Sequence, residues 1–296
     1  GLSSTLLKSL QVTDLQEFNT AQISVLTSTQ VGSLNAASLG GLKTDQINAL
    51  STLALNNLTS AQISGLTITQ LKSLTTDNIN ALSTVTLNGL SNSQISGLTT
   101  AAINALSSTQ VNALNSLAIA ALTSAQIQSI STNAVNNLST SSLSKLTATQ
   151  LKQISTTQVN ALSSTQIKSL TSISLSALTS DQINALSTVG INQLSGNQIA
   201  GLTASQLSGI TSTAFGALTT AAINSLSATQ APKLATSLVS ALTSTQVNAL
   251  NSSALNALTS LQLTNLSTTA ISKLTALSQL TNTNLKALTT MQAAAL

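Results

Sequence analysis

The sequence predicts an all-α solenoid of very short helices, and three observations predict it. Apolar residues recur every eight positions along the 296-residue chain. A hydroxyl or amide residue follows the first apolar residue of nearly every octad. The few charges sort by sign within the octad. LTSTQVNAL at 242–250 shows the unit, and close copies stand at 106–114 (LSSTQVNAL), 162–170 (LSSTQIKSL) and 178–186 (LTSDQINAL). Repetition on this scale decides the fold class before local propensity does.

Let the octad run from position 1, usually Leu, to position 8. Of the 35 residues met in steps of eight from Leu2 to Leu274, 31 are Leu, and the others are Phe18, Ile130, Ile154 and Ile210. The 34 residues from Leu7 to Ile271, position 6, are all apolar, and only Ala231 is small. Apolar positions five and then three apart suit one face of a helix, because a strand would bury residues at even spacings. Position 2 is Ser, Thr or Asn in 32 of 35 octads, which makes it an N-cap. Position 5 is often Gln and completes a capping box, while positions 1 and 6 form a hydrophobic staple. Asp45, Asp77 and Asp181 fall at position 4, in the first turn. Lys8, Lys72, Lys152 and Lys168 fall at position 7, and Lys145, Lys233 and Lys273 at position 8. The helix dipole favours that sorting. One octad gives a helix of about one and a half turns. Its two buried aliphatics do not offset the entropy of ordering eight residues, so octads must stack.

Position 5 alternates. Gln30, Gln46, Gln62, Gln94, Gln110 and Gln126 hold one 16-residue grid, while Ala54, Thr86, Ala102, Ala118 and Ala134 interleave. The reading is a 16-residue, two-helix repeat. Leu53, Val85, Leu117, Ile173 and Val189 at position 4 give the second helix a wider apolar stripe. Position 8 is small in 24 of 34 octads, which lets backbones approach where the chain turns. Residues 1–296 form a single continuous repeat array. Its first 42 residues are less regular, with Glu17, Phe18, Gly40 and Gly41; the phase switches near 134–150, and one octad is shortened at 274–279. A β-solenoid with 16-residue coils is the competing expectation.

Composition sets the limits on chemistry. The chain has nine basic residues, all Lys, five acidic ones, and no His, Cys, Trp or Tyr. It carries no imidazole base and no thiolate, so no enzyme is expected, and no catalytic, cofactor-binding or metal-ligating residue is assigned. Asp14 and Glu17 have no partner motif, and Asp45, Asp77 and Asp181 are far apart in sequence. The lysines are dilute and lack aromatic neighbours, against nucleic-acid binding. No apolar run spans a membrane. Asn57, Asn137, Asn251 and Asn265 open N-x-[ST] sequons, which chance supplies in a chain of this composition. Phe18 and Phe215 sit in grid slots and are expected in the core, Pro232 is a tolerated defect, and Met291 has no evident role. Gly1 has no signal-peptide pattern behind it, so the chain is expected to be a mature product or a fragment.

LTSTQV resembles the opening of a TAL-effector repeat over six residues. The 34-residue period and base-reading loop of that family are absent, so the likeness implies shared capping and no DNA recognition. The Ser/Thr/Asn-rich, Cys-free array as a whole resembles the repeat regions of large secreted bacterial surface proteins, adhesins and fibre-forming proteins. That resemblance implies export and an extracellular or cell-surface role. The expected function is structural: a solenoid rod acting as filament subunit, stalk or spacer. Its expected partner is itself, since the octads run to Leu296 without a charged cap, as in an array that continues or that stacks end to end. The alternative is a binding module whose Ser/Thr rows at positions 2 and 3 hold carbohydrate or ice.

Overall fold

A computed structural model describes residues 2–275 and 280–296. The octad shortened at 274–279 lies largely outside the described residues. The described residues form 35 α-helices of four to six residues and one 3-10 turn, and they contain no strand, so the β-solenoid is excluded. The chain divides into two compact units, Gly1–Gln153 and Ile154–Leu296, each an array of the same octads.

Helices form where the cap and staple place them. In α8 (Ser60–Ser64), Thr59 has extended backbone angles and its side chain accepts from the Gln62 N–H. The Ile63 N–H donates to the Thr59 carbonyl at 3.0 Å, and the Leu66 N–H donates to the Ile63 carbonyl at 3.1 Å. The second bond spans three residues, so it tightens and ends the helix. Leu66 opens the next octad, whose N-cap Thr67 is again extended. Ile63 is fully buried and Leu66 is 3% exposed, as the staple requires. The first 42 residues, though less regular in sequence, still form α1 (Ser4–Ser9), α2 (Val12–Gln16), α3 (Thr20–Ser24), α4 (Ser28–Gly32) and α5 (Ala36–Gly41). Their position-6 residues Leu7, Leu15, Ile23, Val31 and Leu39 are all buried.

The coil differs from expectation. Each helix packs chiefly on the third helix along the chain, not the second. In the first unit α4 packs on α7 (Thr52–Asn56), α7 on α10 (Thr76–Ala81), and α10 on α13 (Thr100–Ala105). In the second unit α20 (Thr156–Asn160) packs on α23 (Ser180–Ala185), and α23 on α26 (Ala204–Gly209). Three helices therefore close one coil, and equivalent residues recur after 24 positions rather than 16. The physical reason is burial. Each octad brings two apolar residues, at positions 1 and 6, and two extended residues that turn the chain by about a third of a circle. A three-sided coil points both apolar residues inward; a flat pair of helices would leave position 1 at its rim. Rungs with and without Gln at position 5 therefore mix within each stack: Thr86 lies between Gln62 and Gln110 in one, while Gln46, Gln70 and Gln94 follow one another in another.

Close approach between coils uses position 8. A Cβ on Gly65 would run into the carbonyl of Ala36, one coil below, and a Cβ on Gly89 would meet the Ser60 backbone. Neither glycine has positive φ, so both answer to space rather than to backbone angle. Pro232 replaces one α-turn with the 3-10 turn Ala231–Lys233, and Ala231 is still fully buried.

Candidate functional site

The polar side chains that are buried lie between coils. Gln94, in α12 (Asn92–Gly97), is 5% exposed. Its Oε1 accepts from the Ser91 N–H at 2.8 Å and closes the capping box. Its Nε2 donates to the carbonyls of Ile63 at 3.2 Å and Leu66 at 2.7 Å, which end the helix one coil below. One amide thus satisfies a helix start and the orphan carbonyls of another helix end. Gln62 repeats this on Val31 and Leu34, and Gln126 on Ile95 and Leu98. In the second unit Gln198 does so on Ile167 and Leu170, and Gln206 on Leu175 and Leu178. Smaller residues in the same slot do part of the work: the Thr86 hydroxyl donates to the Leu58 carbonyl at 2.6 Å.

Asn at position 7 makes a second clamp, directed to the coil above. Asn88 Nδ2 donates to the Ala113 carbonyl at 2.7 Å, and its Oδ1 accepts from the Asn115 N–H at 2.8 Å. Asn184 does the same with Gly209 at 2.9 Å and Thr211 at 2.8 Å. Asn48 serves Ser73 and Thr75, and Asn112 serves Asn137 and Ser139. The octads opened by Thr75, Asn115, Ser139 and Thr211 carry Asn78, Ala118, Ser142 and Ala214 at position 5, so none has its own Gln. The N–H that a Gln would take within its octad is taken instead by an Asn from the previous coil. Among the described residues no buried side-chain polar atom is left without a partner.

The residues weighed in the sequence sit as follows. Asp14 closes the cap of α2, accepting from the Gln11 N–H at 2.9 Å. Asp45, Asp77 and Asp181 stand exposed in the first turns of α6 (Thr44–Ala49), α10 and α23, and Lys8, Lys72, Lys152 and Lys168 in last turns. The structure brings none of these acids together, and among the described residues no acidic cluster could hold a metal. The sequon residues Asn57, Asn137 and Asn265 are exposed, and each Nδ2 bonds back to the carbonyl four residues earlier. Asn251 clamps the carbonyls of Asn224 and Leu226. Position-2 hydroxyls face their own helix as caps, which removes half of the expected Ser/Thr rows from binding. Phe215 is 2% exposed, but Phe18 is only half-buried.

Position 4 departs from expectation. Leu53, Val85, Leu117, Ile173 and Val189 are 61–76% exposed, so they widen no buried stripe. In the first unit they ride on α7, α11 (Thr84–Asn88) and α15 (Ser116–Ala121), which belong to three different stacks. Positions 1, 5 and 6 are the buried ones and position 4 faces outward, where scattered exposed aliphatics are ordinary. Among the described residues no helix is long and apolar enough to cross a membrane.

The family model of the ALTTAQ repeat matches residues 39–76, 79–116 and 156–188. Within the second stretch, ALSSTQ at 105–110 runs from the close-packed position 8 through the cap to the clamp glutamine. The chain is a repeat protein of α-solenoid architecture, similar to the ALTTAQ repeat in these three stretches. No curated protein matches it.

Proposed function

We propose that this protein is an extracellular structural element, a filament subunit, stalk or spacer that associates with copies of itself. The observation that supports this most is the use of its polar side chains. Gln at position 5 and Asn at position 7 join each coil to the next, so the chemistry this chain carries is chemistry of cohesion. The reading assigns no catalytic, cofactor or metal role to any residue. A cell-surface setting accords with the low charge and the Ser/Thr/Asn-rich, cysteine-free composition. Light scattering over a range of concentrations tests the reading: the apparent mass rises with concentration if it holds. A constant monomer mass up to high concentration contradicts it. Antibody labelling of intact cells tests the surface setting, and label found only after lysis contradicts that part.

A further inference from the structure

We infer that each of the two units carries a cleft for a neutral carbohydrate, built from threonine at position 3 and asparagine at position 7 of one helix and asparagine at position 7 of the helix packed on it. The inference goes beyond the structural reading above and does not rest on self-association.

The first cleft, of about 390 Å³, is lined by Thr52, Leu53, Asn56, Asn80 and Ala81. The second, of about 510 Å³, has Thr156, Asn160, Asn184 and Ala185 at the same positions, with Thr157 and Thr188 beside them. Both volumes fall in the range of small-molecule sites, about 300–1,000 Å³. Each cleft lies between successive rungs of one stack, α7 and α10 in the first unit and α20 and α23 in the second. The shared Thr, Asn, Asn and Ala recur 104 residues further on, and one wall of each cleft reads INALSTV, at 79–85 and again at 183–189.

The clefts are clamps that have stayed open. Asn88 closes on the Ala113 carbonyl, 25 residues further along the chain. The corresponding residues for Asn56 and Asn160 are Ala81 and Ala185, and both line the clefts. Among the described residues the carboxamides of Asn56, Asn80 and Asn160 have no protein partner, and all three side chains are exposed. Asn184 is spent on Gly209 and Thr211 and serves the second cleft as a wall.

The lining selects the ligand. A carboxamide offers N–H donors and a carbonyl acceptor, and a hydroxyl is both donor and acceptor. Such groups match a molecule whose own hydroxyls donate and accept. Among the described residues neither lining holds a charge, so an ionic ligand gains no counter-charge there. Leu53 and Ala81 give the C–H face of a sugar ring an apolar contact. The chain has no Trp or Tyr for stacking, so the affinity rests on hydrogen bonds, and a Kd of about 1 mM is expected.

Nuclear magnetic resonance of the asparagine side-chain amides tests the assignment, with cellohexaose, maltohexaose, mannohexaose and chitohexaose as probes. At least one sugar is expected to shift Asn56, Asn80 and Asn160 together, with a Kd insensitive to salt. The double variant Asn56→Ala, Asn80→Ala is expected to raise the Kd of the first cleft about 10-fold and to leave the Asn160 shifts intact, which also reports that the fold is kept. Asn160→Ala is expected to do the reverse. Absence of shifts at these amides with all four sugars at high millimolar concentration would overturn the proposal. So would sugar binding that both variants leave unchanged, or shifts that follow polygalacturonate, an anionic polymer, in place of the neutral sugars. Shifts that track protein concentration alone would assign the clefts to a second copy and overturn the carbohydrate.

Discussion

Two neighbouring rungs of one stack solve the same problem differently. α12, residues Asn92–Gly97, takes its first orphan N–H, that of Ser91, with Gln94 from its own octad. α15, residues Ser116–Ala121, packs on α12 and has Ala118 in that slot. Its orphan N–H, that of Asn115, is taken by Asn88 from the previous coil. The first helix start is completed locally, and the second exists only against its neighbour. Stability in such an array is a sum of unit and interface terms, and here a single hydrogen-bond acceptor moves between the two.

The largest predicted effect breaks the local solution. Gln94→Ala leaves the Ser91 N–H and the carbonyls of Ile63 and Leu66 without their amide, and buried polar groups without partners cost about 1–3 kcal/mol each. Chemical denaturation is expected to show a loss of about 3 kcal/mol for this change. Next comes space between coils. Gly65→Ala drives a methyl group into the Ala36 carbonyl and is expected to cost about 1–3 kcal/mol by the same measurement. A double-mutant cycle sharpens the comparison itself. Asn88→Ala is expected to cost about 1–2 kcal/mol in the parent, and about 1 kcal/mol less once Ala118→Gln supplies a local acceptor. Gln70 and Gln94 are both buried on successive rungs of this same stack, so the slot accommodates the larger side chain. The smallest effect is at position 4, where Leu117→Ser is expected to shift stability by less than about 0.5 kcal/mol, because the leucine is 69% exposed.

Much of the fold can be read before any coordinates. Caps, staples and the sorting of Asp45 and Lys72 to opposite helix ends follow from contacts within eight residues, where sequence spacing and spatial spacing coincide. The number of helices per coil does not. It depends on the angle turned at two extended residues such as Leu98 and Thr99, and the alternation at position 5 suggests a two-helix closure that the packing contradicts. The second half of each glutamine's role was hidden for the same reason, since the partners of Gln94 Nε2 lie 28 and 31 residues back. The asparagine clamps left a detectable trace. Asn48, Asn56, Asn88, Asn104 and Asn112 each stand 27 residues before position 2 of an octad without Gln, with Asn80 and Asn136 as departures. That correlation carries meaning only when the coil is known to close in three helices. Position 4 misled because an apolar residue on an amphipathic helix reads as buried until the inward face is fixed.

Closure of the coil in three helices is the claim on which the clamps depend, and the cysteine-free chain makes it directly measurable. Thr76, Asn92 and Thr100 are exposed position-3 residues of α10, α12 and α13, and each can carry a spin label through an introduced cysteine. Dipolar spectroscopy is expected to place the backbones at 76 and 100 about 8–10 Å apart, the spacing of packed helices, and those at 76 and 92 farther apart. A shorter distance for 76 and 92 than for 76 and 100 would contradict the three-helix coil.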